Sequence, residues 1–115
     1  MYSLLFGFGM TSNYEAARKQ ARKEHKTLLV LLAKHSDNVS DMIANIMQDS
    51  RTSELIDKRA IFVLLYKDTT QSYPIEMLYS TSSPALFFLN ADELFVCKTL
   101  HGDIAPEKIR SCLSR

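Results

Sequence analysis

With 115 residues, the chain fits one domain by the usual size relation and can bury roughly 65% of its unfolded surface in a single modest core. Hydrophobic residues make up 46% and charged residues 23%, with only 3 Gly and 3 Pro, which excludes collagen-like, low-complexity and disordered classes. Fourteen basic against thirteen acidic side chains leave a formal charge of +1, so no whole-molecule field recruits nucleic acid or an anionic membrane.

In chain order, the apolar and aromatic stretch 3–8, flanked by glycines, predicts a short first strand. Ser12 with Glu15 three positions on matches a capping box, and the Ala-, Arg-, Lys-, Gln- and Glu-rich run to His25 predicts a helix with a stripe of Tyr14, Ala17 and Ala21. The continuous apolar run 27–33 has strand length and predicts a central strand covered on both faces. Val39, Met42, Ile43, Ile46 and Met47 recur at three and four, the period of an amphipathic helix, with Ser36 or Asp37 as its cap. A helical segment at 52–58, an apolar strand at 61–66 and a short helix at 73–79 follow. Runs 85–89 and 94–99 read as a hairpin around the turn-prone 90–93. Pro106 opens a last helix with Ile109, Cys112 and Leu113 on its apolar face. A mixed sheet between helices follows from this order.

No apolar run approaches the ~20 residues of a membrane span, the longest being 4–10 and 28–33. No Lys or Arg precedes Arg18, so the basic opening of a secretory signal is missing. As written the chain reads as cytoplasmic. A periplasmic form whose signal had been removed upstream would read the same. Cys97 and Cys112 stand 15 apart in no metal-ligand spacing and read as small buried hydrophobes. A disulfide between them requires their Cα atoms within about 7 Å, which spacing does not reveal. His35, Asp37 and Asp41 are the only local group with ligand chemistry, and capping with solvation accounts for them more simply than a metal. No cofactor is implied. The basic cluster Arg18, Lys19, Arg22, Lys23 and Lys26 suits the negative end of its helix dipole. Tyr73, Tyr79, Phe87, Phe88 and Phe95 read as core.

The element order, with Ser83 and Pro84 leading into the hairpin, resembles the thioredoxin fold over nearly the whole chain, as a single domain 1–115. The helix Tyr-Glu-Ala-Ala-Arg-Lys-Gln-Ala-Arg-Lys-Glu-His-Lys at 14–26 and the passage Leu-Ile-Asp-Lys-Arg-Ala-Ile-Phe-Val at 55–63 resemble the branch of thioredoxin-like disulfide reductases and the DsbD C-terminal domain. Gly102 matches the glycine before that branch's final helix.

The resemblance implies a Cys-x-x-Cys after the central strand, where a helix N-terminus lowers a thiol pKa. Here that place holds Asp37, Asn38, Val39 and Ser40, give or take one residue. An Asp caps a helix but exchanges no disulfide. The acid that thioredoxins bury beneath their thiols falls near Leu31. Ser83 and Pro84 match the cis-proline loop that pairs with an extended peptide. The leading expectation is therefore a redox-inactive module that binds a protein or peptide through Asp37, Asn38, Val39, Ser40, Ser83 and Pro84. An atypical thiol–disulfide oxidoreductase using Cys97 or Cys112 is the enzyme alternative. An architectural domain of a homodimer or larger assembly is the third.

Overall fold

A computed structural model of the chain describes residues 9–79, 82, 84–102 and 104–114. Helix α1 (Tyr14–Glu24) leads through a left-handed His25 into strand β1 (Thr27–Ala33). Helices α2 (Val39–Gln48) and α3 (Ser50–Arg59) follow, then β2 (Ala60–Tyr66) and the short α4 (Tyr73–Leu78). The hairpin β3 (Ala85–Leu89) and β4 (Phe95–His101) precedes α5 (Pro106–Leu113).

The sheet runs β2-β1-β3-β4. β1 pairs β2 in parallel from Thr27 opposite Ala60 to Ala33 opposite Tyr66, and β3 in the antiparallel sense. It is thus the covered middle strand that its unbroken apolar run predicts. Alternation along it divides the core. Leu29, Leu31 and Ala33 pack with Ile43, Ile46, Ile56, Ile109 and Leu113 of α2, α3 and α5. Leu28, Val30 and Leu32 pack with Tyr14, Ala17, Ala21 and Ile75 of α1 and α4. All of 28–32 are fully buried, each such side chain contributing about 1.5–3 kcal/mol over exposure.

The expected strand 3–8 lies outside the described residues. Among those described, one parallel bridge from Thr11 to Val63 covers the outer edge of β2, with Thr11 N–H donating to Phe62 O (3.1 Å) and Leu64 N–H donating to Thr11 O (2.8 Å).

The first helix is capped one residue later than the Ser12–Glu15 box predicts. Asn13 is the cap and accepts from Ala16 N–H at 3.0 Å. Glu15 then falls one position short of the box and turns to Arg18 at 3.2 Å. The basic cluster also does more than answer the dipole. Arg18 donates to Ala91 O at 3.1 and 3.2 Å, and Arg22 pairs with Asp92 at 3.2 Å, clamping the β3–β4 turn onto α1.

Asp49 ends α2 and begins α3, accepting from Thr52 N–H at 3.1 Å and from the Arg110 guanidinium of α5. Buried Thr52 donates to Pro106 O at 3.2 Å, and Arg59 donates to Leu113 O at 2.9 Å. Both ends of α3 are thereby fastened to α5.

Two of the five aromatic residues expected in the core depart from it. Phe87 and Phe88 are buried and Tyr79 is half-buried, but Tyr73 is 52% and Phe95 50% exposed. Phe95 opens an edge strand whose pairing with β3 shifts register twice within seven residues. Such bulges turn an edge strand and expose its side chains.

Candidate functional site

Segment 34–40 leaves the C-terminal end of β1 and starts α2. Asp37 closes the turn, its Oδ2 accepting from Lys34 N–H at 2.7 Å while its own N–H donates to Lys34 O at 3.0 Å. It therefore caps the turn rather than the helix. Ser36 is not the cap either. Asn38 occupies the cap position without a side-chain bond into the helix, because its Nδ2 donates to Asp41 at 2.7 Å. Val39 is buried against the core, whereas Asn38 and Ser40 are exposed. The segment thus presents a carboxylate, an amide and a hydroxyl, with no nucleophilic sulfur.

The sheet register brings Pro84 to the same place. Leu32 of β1 faces Ala85 of β3, so Pro84 lies one step beyond, level with Ala33 and beside the departing segment. Its carbonyl accepts from Gly102 N–H at 3.0 Å. Gly102 adopts φ +65 there, a left-handed conformation that costs glycine nothing. Ser83 lies outside the described residues. Leu31, where the resemblance places a buried acid, is fully buried in the apolar cluster.

His35, Asp37 and Asp41 do not converge on a metal. His35 stacks on Tyr66 with ring centroids 4.2 Å apart, and the two carboxylates are engaged as described. Among the described residues no group of three or more His, Cys, Asp or Glu is arranged to hold an ion.

The cysteines are not separate buried hydrophobes. Cys97 and Cys112 form a disulfide with Cα atoms 6.2 Å apart, joining β4 to α5, and each is half-buried. Cys97 faces Phe88, which faces Leu29. The bridge therefore sits four residues back along β1 from Ala33, about 13 Å at the usual strand rise. It lines a surface cavity of about 370 Å³ with His25, Lys26, Lys58 and Arg59. These residues come from the α1–β1 turn and from α3, so no sequence neighbour of either cysteine signals them.

A larger trough of about 1020 Å³ adjoins segment 37–40. Val39, Ile43 and Met47 of α2 and Leu64 and Tyr66 of β2 supply its apolar lining, and α3 adds Glu54 and Asp57. Sequence reasoning missed it because the α2 residues read as one helix's core stripe. The nearest signal was exposed Ala44 beside that stripe. Among the described residues, the Thr11–Val63 bridge is the cover on the β2 edge, and Met10 beside it also lines the trough.

No protein-family profile matches the chain, and no curated protein matches it in sequence. Solved structures do match in fold. A thioredoxin from Thermus thermophilus superposes with a TM-score of 0.71 at 18% identity, over 94% of this chain and 85% of that one. A DsbH oxidoreductase gives 0.66 at 17% identity, again over 94% and 85%. A chain of the complex of ferredoxin:thioredoxin reductase with thioredoxin f2 gives 0.61 at 14% identity, over 95% and 94%. Among the described residues no helix is long and apolar enough to cross a membrane.

Proposed function

We propose that this chain, a thioredoxin-like fold, acts as a redox-inactive module that holds a protein or peptide partner at the end of its sheet without exchanging disulfides. One observation carries the reading. The place that would bear the thiols holds Asp37, Asn38, Val39 and Ser40, while both cysteines of the chain are joined to each other two strands across the sheet and four residues back from the level of Ala33. Pro84 lies beside that segment, level with Ala33, at the place where the resemblance expects a peptide-receiving loop. Hydrogen exchange on a co-purified complex tests the contact. Slowed exchange at 37–40 and around Pro84 is expected, and unchanged exchange at both places overturns the assignment.

A second reading is a thiol–disulfide exchanger working at Cys97–Cys112. It is favoured by the half-exposed bridge in a cavity lined by Lys26, Lys58 and Arg59 against the acid Glu24, a balance that favours a thiolate. In that reaction a dithiol donor would attack the bridge, leaving two cysteine thiols here and a disulfide in the donor. Turnover that disappears in Cys97→Ser would select it. Of the two locations that the sequence leaves open, a standing disulfide favours the oxidising one, outside the cytoplasm.

A further inference from the structure

The trough between α2, α3 and the edge of β2 is chemically one-sided. Its floor is Val39, Ile43, Met47 and Leu64, and its charged lining residues are Glu54 and Asp57, both acids on α3. Among the described residues, neither carboxylate is held by a cation closer than 3.8 Å. Glu54 pairs with Lys58 only at 3.8 Å, with both side chains about two-thirds exposed, a geometry that gains little. Lys26 reaches the backbone carbonyl of Asp57 at 3.2 Å, and its ion pair is made with Glu24.

We propose that this trough binds an amphipathic helix of a partner protein, with apolar side chains on one face and Lys or Arg beside them. Resting on the holding function above, the proposal extends the 37–40 contact, since Val39 and Ser40 line the near end of the trough. Two arguments select this occupant. Helices α2 and α3 flank the trough as the walls of a helix-receiving groove do. The carboxylates of Glu54 and Asp57 then favour cations at the rim and disfavour an acidic helix. Strand addition at the other edge of the sheet is opposed by the two register shifts in β4 and by exposed Lys98.

Fluorescence anisotropy on the full chain tests this with two labelled helical peptides of identical leucine spacing, one filled with lysine and one with glutamate. The native chain is expected to bind the Leu/Lys peptide at least about tenfold more tightly. Glu54→Lys with Asp57→Lys should reverse that order. Ala44→Arg, an exposed helix position at the trough, should weaken both peptides. Equal binding of the two peptides, an order unchanged by the charge reversal, or no effect of Ala44→Arg overturns the proposal. Two further results overturn it by naming another occupant: tighter Leu/Lys binding after deletion of residues 1–8, or a self-association of the chain that Ala44→Arg abolishes. Exchange protection at 37–40 with no charge-dependent peptide binding removes this inference and leaves the holding function standing. Faster reduction of insulin by dithiothreitol in the presence of the chain removes the redox-inactive function itself.

Discussion

Tyr14, the first residue of α1, donates its phenol to Glu93 Oε2 at 2.6 Å across 79 residues of chain. Glu93 holds φ +68 in the β3–β4 turn, and its carbonyl accepts from the Tyr79 hydroxyl. Arg18 lies 3.8 Å from the same carboxylate. The pair locks the hairpin against the face of the sheet opposite α2, α3 and α5, and so holds β3 and Pro84 in register.

Burial, and then the hydrogen bond to Glu93, raise the Tyr14 phenol well above its ordinary pKa of 10.0. The sign follows from linkage. Above pH 10 the unfolded chain releases this proton while the folded chain keeps it, so the contribution is complete below pH 10 and lost as pH rises beyond it. Urea titrations of the native chain should show stability falling in that window. Tyr14→Phe should cost about 1.5–3 kcal/mol at neutral pH, the range for a hydrogen bond to a charged group, and should flatten the alkaline fall.

The Cys97–Cys112 bridge closes a loop of 15 residues. Loop-closure entropy assigns it about 3 kcal/mol, or roughly 10 °C of melting temperature at this chain length. Thermal melts of the Cys97→Ser/Cys112→Ser pair should fall by about that amount. Dithiothreitol should lower the native melting temperature similarly and leave the variant's unchanged.

Asp49 caps α3 while it pairs with Arg110. The Thr52 amide first, and the Arg110 guanidinium after it, hold its carboxyl below the usual 3.8. A depressed carboxylate stabilises the fold above its unfolded pKa, and that support disappears as pH drops below 3.8 through the folded value. Asp49→Asn keeps a capping oxygen and loses the charge, whereas Asp49→Ala loses both. Urea midpoints should therefore fall in the order native, Asn, Ala at neutral pH and converge in acid. A midpoint for Asp49→Ala equal to the native one would show that neither the cap nor the ion pair matters.

β1 was legible to the residue because a strand covered on both faces carries apolar side chains at every position, and 28–32 do. The α1 cap falls at Asn13 and not at the expected Ser12, and tertiary contact bears on that choice. Tyr14 N–H donates to Gln71 Oε1 at 2.8 Å from 57 residues away, which no local pattern carries. Phe95 looked like core since strand hydrophobicity does not say which strand is an edge. The pairing of Cys97 with Cys112 depends on β4 and α5 meeting through the sheet order, and the trough on α2 and α3 meeting at the β2 edge. At the candidate site, the absence of thiols from 37–40 was read directly from the residues. Its placement beside Pro84 needed the β1–β3 register.

The most direct measurement of the central claim is the rate at which dithiothreitol reduces insulin with and without this chain. A protein that holds and does not exchange leaves that rate at the dithiothreitol background. A rate rising in proportion to the amount of native chain would contradict the account, and its loss in Cys97→Ser would locate the reacting sulfur at the bridge.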